Sequence, residues 1–128
     1  MKRLLITLFM LFSISFTPSF ADIDQIKLAA EQGGAEAQIE LGVAYADGDG
    51  VRQDYHEAVK WFKLSAEQGD VLAQYNLGVA YGEGHGVHQD YVESVKWFKL
   101  SAAQGDAEAQ FNLGVAYCSC HGGRQNFR

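Results

Sequence analysis

The residues best suited to chemistry sit near the C-terminus, where Cys118-Ser119-Cys120-His121 is the chain's one cluster of soft ligands. Thiolate and imidazole suit zinc or copper, but structural zinc takes about four ligands, so Cys118, Cys120 and His121 form a weak metal set alone. Further donors are His85 and His88, thirty-six residues upstream of His121 and Arg124. Two Cys separated by one residue pair with each other only under strain, which leaves free thiols or a disulfide between copies. Nucleophilic catalysis needs a Ser or Cys beside a His that a carboxylate orients. His56 falls on a solvent-facing stretch, His85 and His88 lie among glycines, and none has both partners close in sequence. The expectation is a protein that is not an enzyme and needs no cofactor.

The N-terminus reads as an export signal. Lys2 and Arg3 precede an apolar run from Leu4 to about Phe16, and Ser19-Phe20-Ala21 supplies a small-x-small end. The run is shorter than the roughly 20 apolar residues of a membrane span. Cleavage is expected after Ala21, leaving 107 of the 128 residues in a periplasmic or secreted chain with no membrane contact. That remainder holds eight basic against sixteen acidic residues, a net charge of −8 with His neutral. Such a surface repels phosphate backbones and excludes nucleic acid as a partner. Two Cys are too few for a disulfide-stapled miniature fold.

What must position these residues is an internal repeat. Residues 33–68 match residues 69–104 at 24 of 36 positions, and a third copy begins at Gly105. Gln25 to Gln32 (QIKLAAEQ) resembles the second half of a unit, Trp61 to Gln68 (WFKLSAEQ). The organisation is a leader (1–21), a half unit (22–32), two whole units (33–68 and 69–104) and a truncated third (105–128) with an irregular tail.

Each unit predicts two helices. Ala37, Leu41, Ala44 and Tyr45 fall on one face of the first, as do Ala73, Leu77, Ala80, Tyr81 and Ala109, Leu113, Ala116, Tyr117. Ala58, Trp61, Phe62 and Ser65 stripe the second, with Ser94, Trp97, Phe98 and Ser101 equivalent. Asp54 with Glu57, and Asp90 with Glu93, predict capping boxes. Gly42, Gly78 and Gly114 sit mid-helix, where Gly costs about 0.8–1 kcal/mol relative to Ala. Paying that cost three times predicts a partner helix too close for a methyl group.

The 36-residue period, Ala-Gln-x-x-Leu-Gly-x-x-Tyr, Gly-x-Gly-Val-x-Gln-Asp-Tyr and Lys-Trp-Phe together resemble the Sel-1-like repeat family, a tetratricopeptide-like group. The resemblance implies an all-α fold, a right-handed superhelical solenoid of stacked antiparallel helix pairs. It also implies an adaptor that binds a protein or peptide in a groove. Carried over position by position, groove residues are Ile39, Tyr75 and Phe111, then Val43, Val79 and Val115, with Glu83 at the rim. Asn76 and Asn112 would pair with a peptide backbone, since an amide both donates and accepts. The acidic rim favours a neutral or basic partner.

Some cysteine-rich exported members are described as penicillin-binding or β-lactamase-like, which makes a hydrolase the alternative function, beside a metal or redox role for Cys-x-Cys-His. That serine chemistry uses Ser-x-x-Lys, Ser-Asp-Asn and Lys-Thr-Gly, none of which occurs here. After Tyr117 the sequence leaves the family pattern, and Gln125-Asn126-Phe127 only echoes Gln53-Asp54-Tyr55. The last helix, expected over about Ala107 to Tyr117, would then expose apolar surface, which fits a self-association face, an end completed by a partner, or a truncated reading frame. Mass spectrometry of protein recovered from the periplasm should find a chain beginning at Asp22; an intact Met1 there would contradict the leader.

Overall fold

The computed structural model describes residues 20–125, with side chains from 22 to 119. Six helices follow one another: α1 (Phe20–Glu31), α2 (Ala35–Asp47), α3 (Tyr55–Glu67), α4 (Val71–Glu83), α5 (Tyr91–Ala103) and α6 (Ala107–Gln125). The predicted leader lies outside the described residues except for Phe20 and Ala21, which open α1. Each helix packs mainly on its sequence neighbours, so the molecule is a solenoid of helix pairs, α2 with α3 and α4 with α5. Among the described residues there is no strand, and no helix is long and apolar enough to cross a membrane.

The helix starts follow from their caps. The Asp54 carboxylate accepts from the backbone N–H of His56 (2.9 Å) and Glu57 (3.2 Å), and Asp90 does the same at Val92 (3.0 Å) and Glu93 (3.1 Å). The expected reciprocal half of each capping box is not made. The N–H groups of Asp54 and Asp90 already donate to the carbonyls of Tyr45 and Tyr81, both at 2.8 Å. Glu57 and Glu93 turn instead to Lys60 and Lys96, whose pKa values are raised by those bonds.

Packing explains the costly glycines. A Cβ on Gly42 would lie 2.6 Å from the Phe62 ring, and one on Gly78 would lie 2.7 Å from Phe98. The phenyl of the second helix therefore rests on the bare backbone of the first. With the Phe62 ring cluster Ile39, Ala58, Val59, Ala73 and Leu77, all buried, while Leu41 packs on the other side with Ile23 and Ala30 of α1. Gly114 departs from the expectation: nothing stands within 4 Å of its Cβ position, because no second helix follows α6 among the described residues.

The C-terminal tail also differs from its reading as irregular. The first helices of the two complete units stop at Gly48 (φ 72°) and Gly84 (φ 74°), left-handed residues whose N–H reaches back to Ala44 and Ala80. The equivalent position in the third unit is Cys120. A side chain there disfavours positive φ, so the stop is lost and α6 runs on to Gln125.

Denaturant titration should show Gly42→Ala and Gly78→Ala destabilised by about 1–2 kcal/mol, overpacking outweighing the gain in helix propensity. Gly114→Ala should instead gain up to about 1 kcal/mol when measured on dilute protein.

Candidate functional site

A polar ladder that sequence reading overlooked holds the helix pairs in register. Ser65 Oγ donates to the carbonyl of Ala35 (2.7 Å) and Ser101 Oγ to that of Val71 (3.0 Å). Gln68 Nε2 donates to the Gly33 carbonyl (3.0 Å) and to Gln38 Oε1 (2.8 Å), and Gln104 repeats this at Gly69 (3.0 Å) and Gln74 (2.9 Å). Buried Gln38 and Gln74 pass the bonding back to the carbonyls of Ala30 and Ala66, at 3.1 and 3.3 Å. The only signal for this ladder was the recurrence of Gln at 32, 68 and 104 and at 38, 74 and 110.

Besides a recess of about 620 Å³ among Lys27, Tyr45 and residues 50–54, fixing the pairs this way leaves two equivalent clefts, one beside each complete unit. The first, about 280 Å³, lies between Val43 and Asp47 of α2, Tyr55 and Phe62 of α3, and Asn76 and Val79 of α4. His85 closes one end. Its ring stacks on Tyr55 at 4.9 Å, its Nδ1 lies 3.1 Å from the Glu83 carboxylate, and Gly86 passes so close to the Tyr55 carbonyl that a Cβ would sit 2.2 Å away. His85 thus faces back toward α3 rather than toward the C-terminal Cys-x-Cys.

The second cleft, about 950 Å³, repeats the first one unit later, with Val79, Phe98, Asn112, Val115 and Tyr117 as walls. Its rim is mixed, carrying Glu83 and Ser119 but also Lys96 and Lys99, with the Lys99 ammonium over the Tyr117 ring at 5.8 Å. It is wider because α6 continues as helix where the first cleft has its His85 loop. Tyr91 is accordingly 67% exposed, against 41% for Tyr55.

The residues expected to share one groove separate into two groups. Val43, Asn76 and Val79 meet in the first cleft, and Val79, Glu83, Asn112 and Val115 in the second. Ile39 does not reach a cleft: it is 6% exposed and packs in the core with Ala73 and Leu77. Tyr75 lies tilted against Phe98 at 5.8 Å and accepts a hydrogen bond from Asn112 Nδ2 at 3.4 Å. Burial holds the Tyr75 hydroxyl above its ordinary pKa, with nearby Glu108 acting the same way and the Asn112 bond opposing. Phe111, the third of that row, is 71% exposed on α6 and lines neither cleft. The position is one of contact between successive units, not of groove lining.

The two Asn differ in the same way. Asn112 spends its amide on Tyr75, whereas Asn76 makes no hydrogen bond among the described residues. Of the metal candidates, Cys118 is exposed with a free thiol, and the side chains of Cys120 and His121 lie outside the described residues. Among the described residues no three His, Cys, Asp or Glu side chains gather into a metal site.

A family model for the Sel1 repeat matches residues 35–70, 71–106 and 107–128. Its phase begins where the helices do, two residues after the sequence-read unit boundaries. A protective antigen of uropathogenic Escherichia coli displaying an SLR fold is similar at 51% identity and a TM-score of 0.72, covering 73% of this chain. The chain spans only 20% of that antigen. A Sel1 repeat protein from Oxalobacter formigenes is 39% identical with a TM-score of 0.70, covering 72% of this chain and 69% of its own. Helicobacter pylori cysteine-rich protein B shares the fold at 23% identity and a TM-score of 0.72, with 80% and 77% covered. No curated protein matches the chain.

The unequal duty of the two Asn is measurable. Asn76→Ala should leave thermal stability unchanged, while Asn112→Ala should cost about 0.5–1.5 kcal/mol through loss of the Tyr75 bond. Equal losses in calorimetry would contradict the assignment.

Proposed function

The chain belongs to the Sel1 repeat family, and on that footing we propose that it is an exported scaffold that holds an extended polypeptide in the first cleft. Sel1 repeats typically serve as non-catalytic scaffolds, and proteins built from them generally bind other proteins. The leader-like start with Lys2, Arg3 and the Leu4–Phe16 run supports export to the periplasm or beyond.

One observation carries the reading of the cleft. The Asn76 amide is half-buried between Val43 and Val79 with no hydrogen-bond partner among the described residues, which leaves its donor and acceptor free for a guest. A peptide backbone laid across it supplies both an acceptor and a donor. An apolar side chain of the guest would fill the recess between Val43, Val79 and Phe62. Asp47 at the rim and the net charge of −8 after cleavage favour basic flanking residues. The second cleft, with Lys96 and Lys99 at its edge, adds no such preference.

Extended peptides with one central apolar residue and basic, neutral or acidic flanks test this by fluorescence anisotropy. The basic series should bind best, and Asn76→Ala should weaken it at least about fivefold with the circular dichroism spectrum unchanged. Equal binding of the acidic series, or binding indifferent to Asn76→Ala, would refute the proposal.

A further inference from the structure

Six Lys and Arg side chains stand among the described residues, and four of them have a partner there. Lys60 and Lys96 bond to Glu57 and Glu93, and the ammonium groups of Lys63 and Lys99 lie over the rings of Tyr81 and Tyr117, at 5.7 and 5.8 Å. The other two, Lys27 and Arg52, make no side-chain hydrogen bond, ion pair or ring contact among the described residues. Both line one place, the recess of about 620 Å³ that Tyr45 and the loop of residues 50–54 complete. The Tyr45 hydroxyl is likewise without a hydrogen-bond partner among the described residues.

We propose that this recess binds a small phosphomonoester. The Arg52 guanidinium is a planar fork that matches two oxygens of a phosphate, and the Lys27 ammonium adds a second, compact charge. Two cations and one hydroxyl donor suit a group carrying close to two negative charges at neutral pH, as a phosphomonoester does. The recess is far larger than the anion alone and falls within the roughly 300–1,000 Å³ of small-molecule sites, so it has room for the organic part beside Val51 and the Tyr45 ring. A net charge of −8 after cleavage repels polyanions and anionic membranes, which leaves a small soluble ligand as the occupant.

The fold holds these groups in place before any ligand arrives. The Tyr45 ring packs against both buried clusters, and the Asp54 N–H and the Gln53 side chain tie the loop to the carbonyls of Tyr45 and Ala46, each at 2.8 Å. Gly50 lies against Ile23 of α1, where a Cβ would stand 3.6 Å away. Asp54 also lines the recess, but its carboxylate accepts from the N–H groups of His56 and Glu57 at the start of α3. The second unit has Lys63, Tyr81 and His88 in the places of Lys27, Tyr45 and Arg52. There the ammonium rests on the ring and the second permanent cation is missing, so the unit lacks the pair. The recess shares no wall with the peptide cleft except the turn into α3: Val43, Ala46 and Asp47 of α2 line the cleft, and Tyr45 the recess. The two readings therefore stand or fall separately.

Amide chemical-shift titration of the purified protein with glycerol 3-phosphate tests the proposal, with glycerol and acetate as uncharged and singly charged comparators. The expected result is saturable shifts at residues 45 and 50–53 with glycerol 3-phosphate, none with glycerol, and acetate bound at least about fivefold more weakly. Lys27→Gln and Arg52→Gln should each weaken glycerol 3-phosphate at least about fivefold. Lys63→Gln removes the same charge and should leave binding unchanged. No saturable shift up to about 10 mM glycerol 3-phosphate overturns the proposal. So does equal weakening by Lys63→Gln, which would make the attraction a matter of net charge and not of the recess. Acetate bound as tightly as glycerol 3-phosphate overturns the assignment to a doubly charged group.

Discussion

The structure depends on a phenyl ring packed against a helix backbone that has no side chain to hold it off. Gly42 under Phe62 and Gly78 under Phe98 bring the two helices of a unit closer than any residue with a Cβ would permit. Each glycine gives up about 0.8–1 kcal/mol of helix propensity, and burial of a whole aromatic ring returns more. Close approach then sets everything that needs a short distance. The Ser65 and Ser101 hydroxyls reach carbonyls at the start of the facing helix, and the Gln ladder threads from one helix to the next.

From that spacing the clefts follow. Because the pairs are held rigidly and successive pairs meet through Ile39 and Tyr75, the valine row of α2, α4 and α6 borders recesses floored by Phe62 and Phe98. The ring that locks a unit thus also forms the floor of its cleft. The two clefts differ in what closes them: a glycine-stopped loop bearing His85 in one case, and a helix that continues past Tyr117 in the other. Cys120 stands where the complete units have the left-handed Gly48 and Gly84, and the helix that runs on past it walls the second cleft.

Much of this was legible in the sequence, because a repeat states each structural requirement more than once. The recurring Gly42, Gly78 and Gly114 announced close packing, and the period gave the helix pairs and their order. What misled was reasoning by position without asking what each copy has for neighbours. Ile39 occupies a nominal groove position yet is buried, since an aliphatic side chain there meets the next unit. Gly114 repeats the pattern without its partner. The capping boxes failed because the Asp54 and Asp90 N–H groups are committed to Tyr45 and Tyr81, a contact nine residues back that local motifs do not encode. Export and the bound peptide are readings of residue type, and the unspent Asn76 amide is the structural feature closest to them.

The central claim is that ring and glycine form one coupled unit, and a double-mutant cycle between Gly42→Ala and Phe62→Val measures it directly. With the ring removed, the added methyl group finds room, so Gly42→Ala should become far less costly in the Phe62→Val background. The account predicts a coupling energy of at least about 1 kcal/mol of that sign. Additive losses at the two sites would show that the ring and the bare backbone are not the lock on which the fold and its clefts rest.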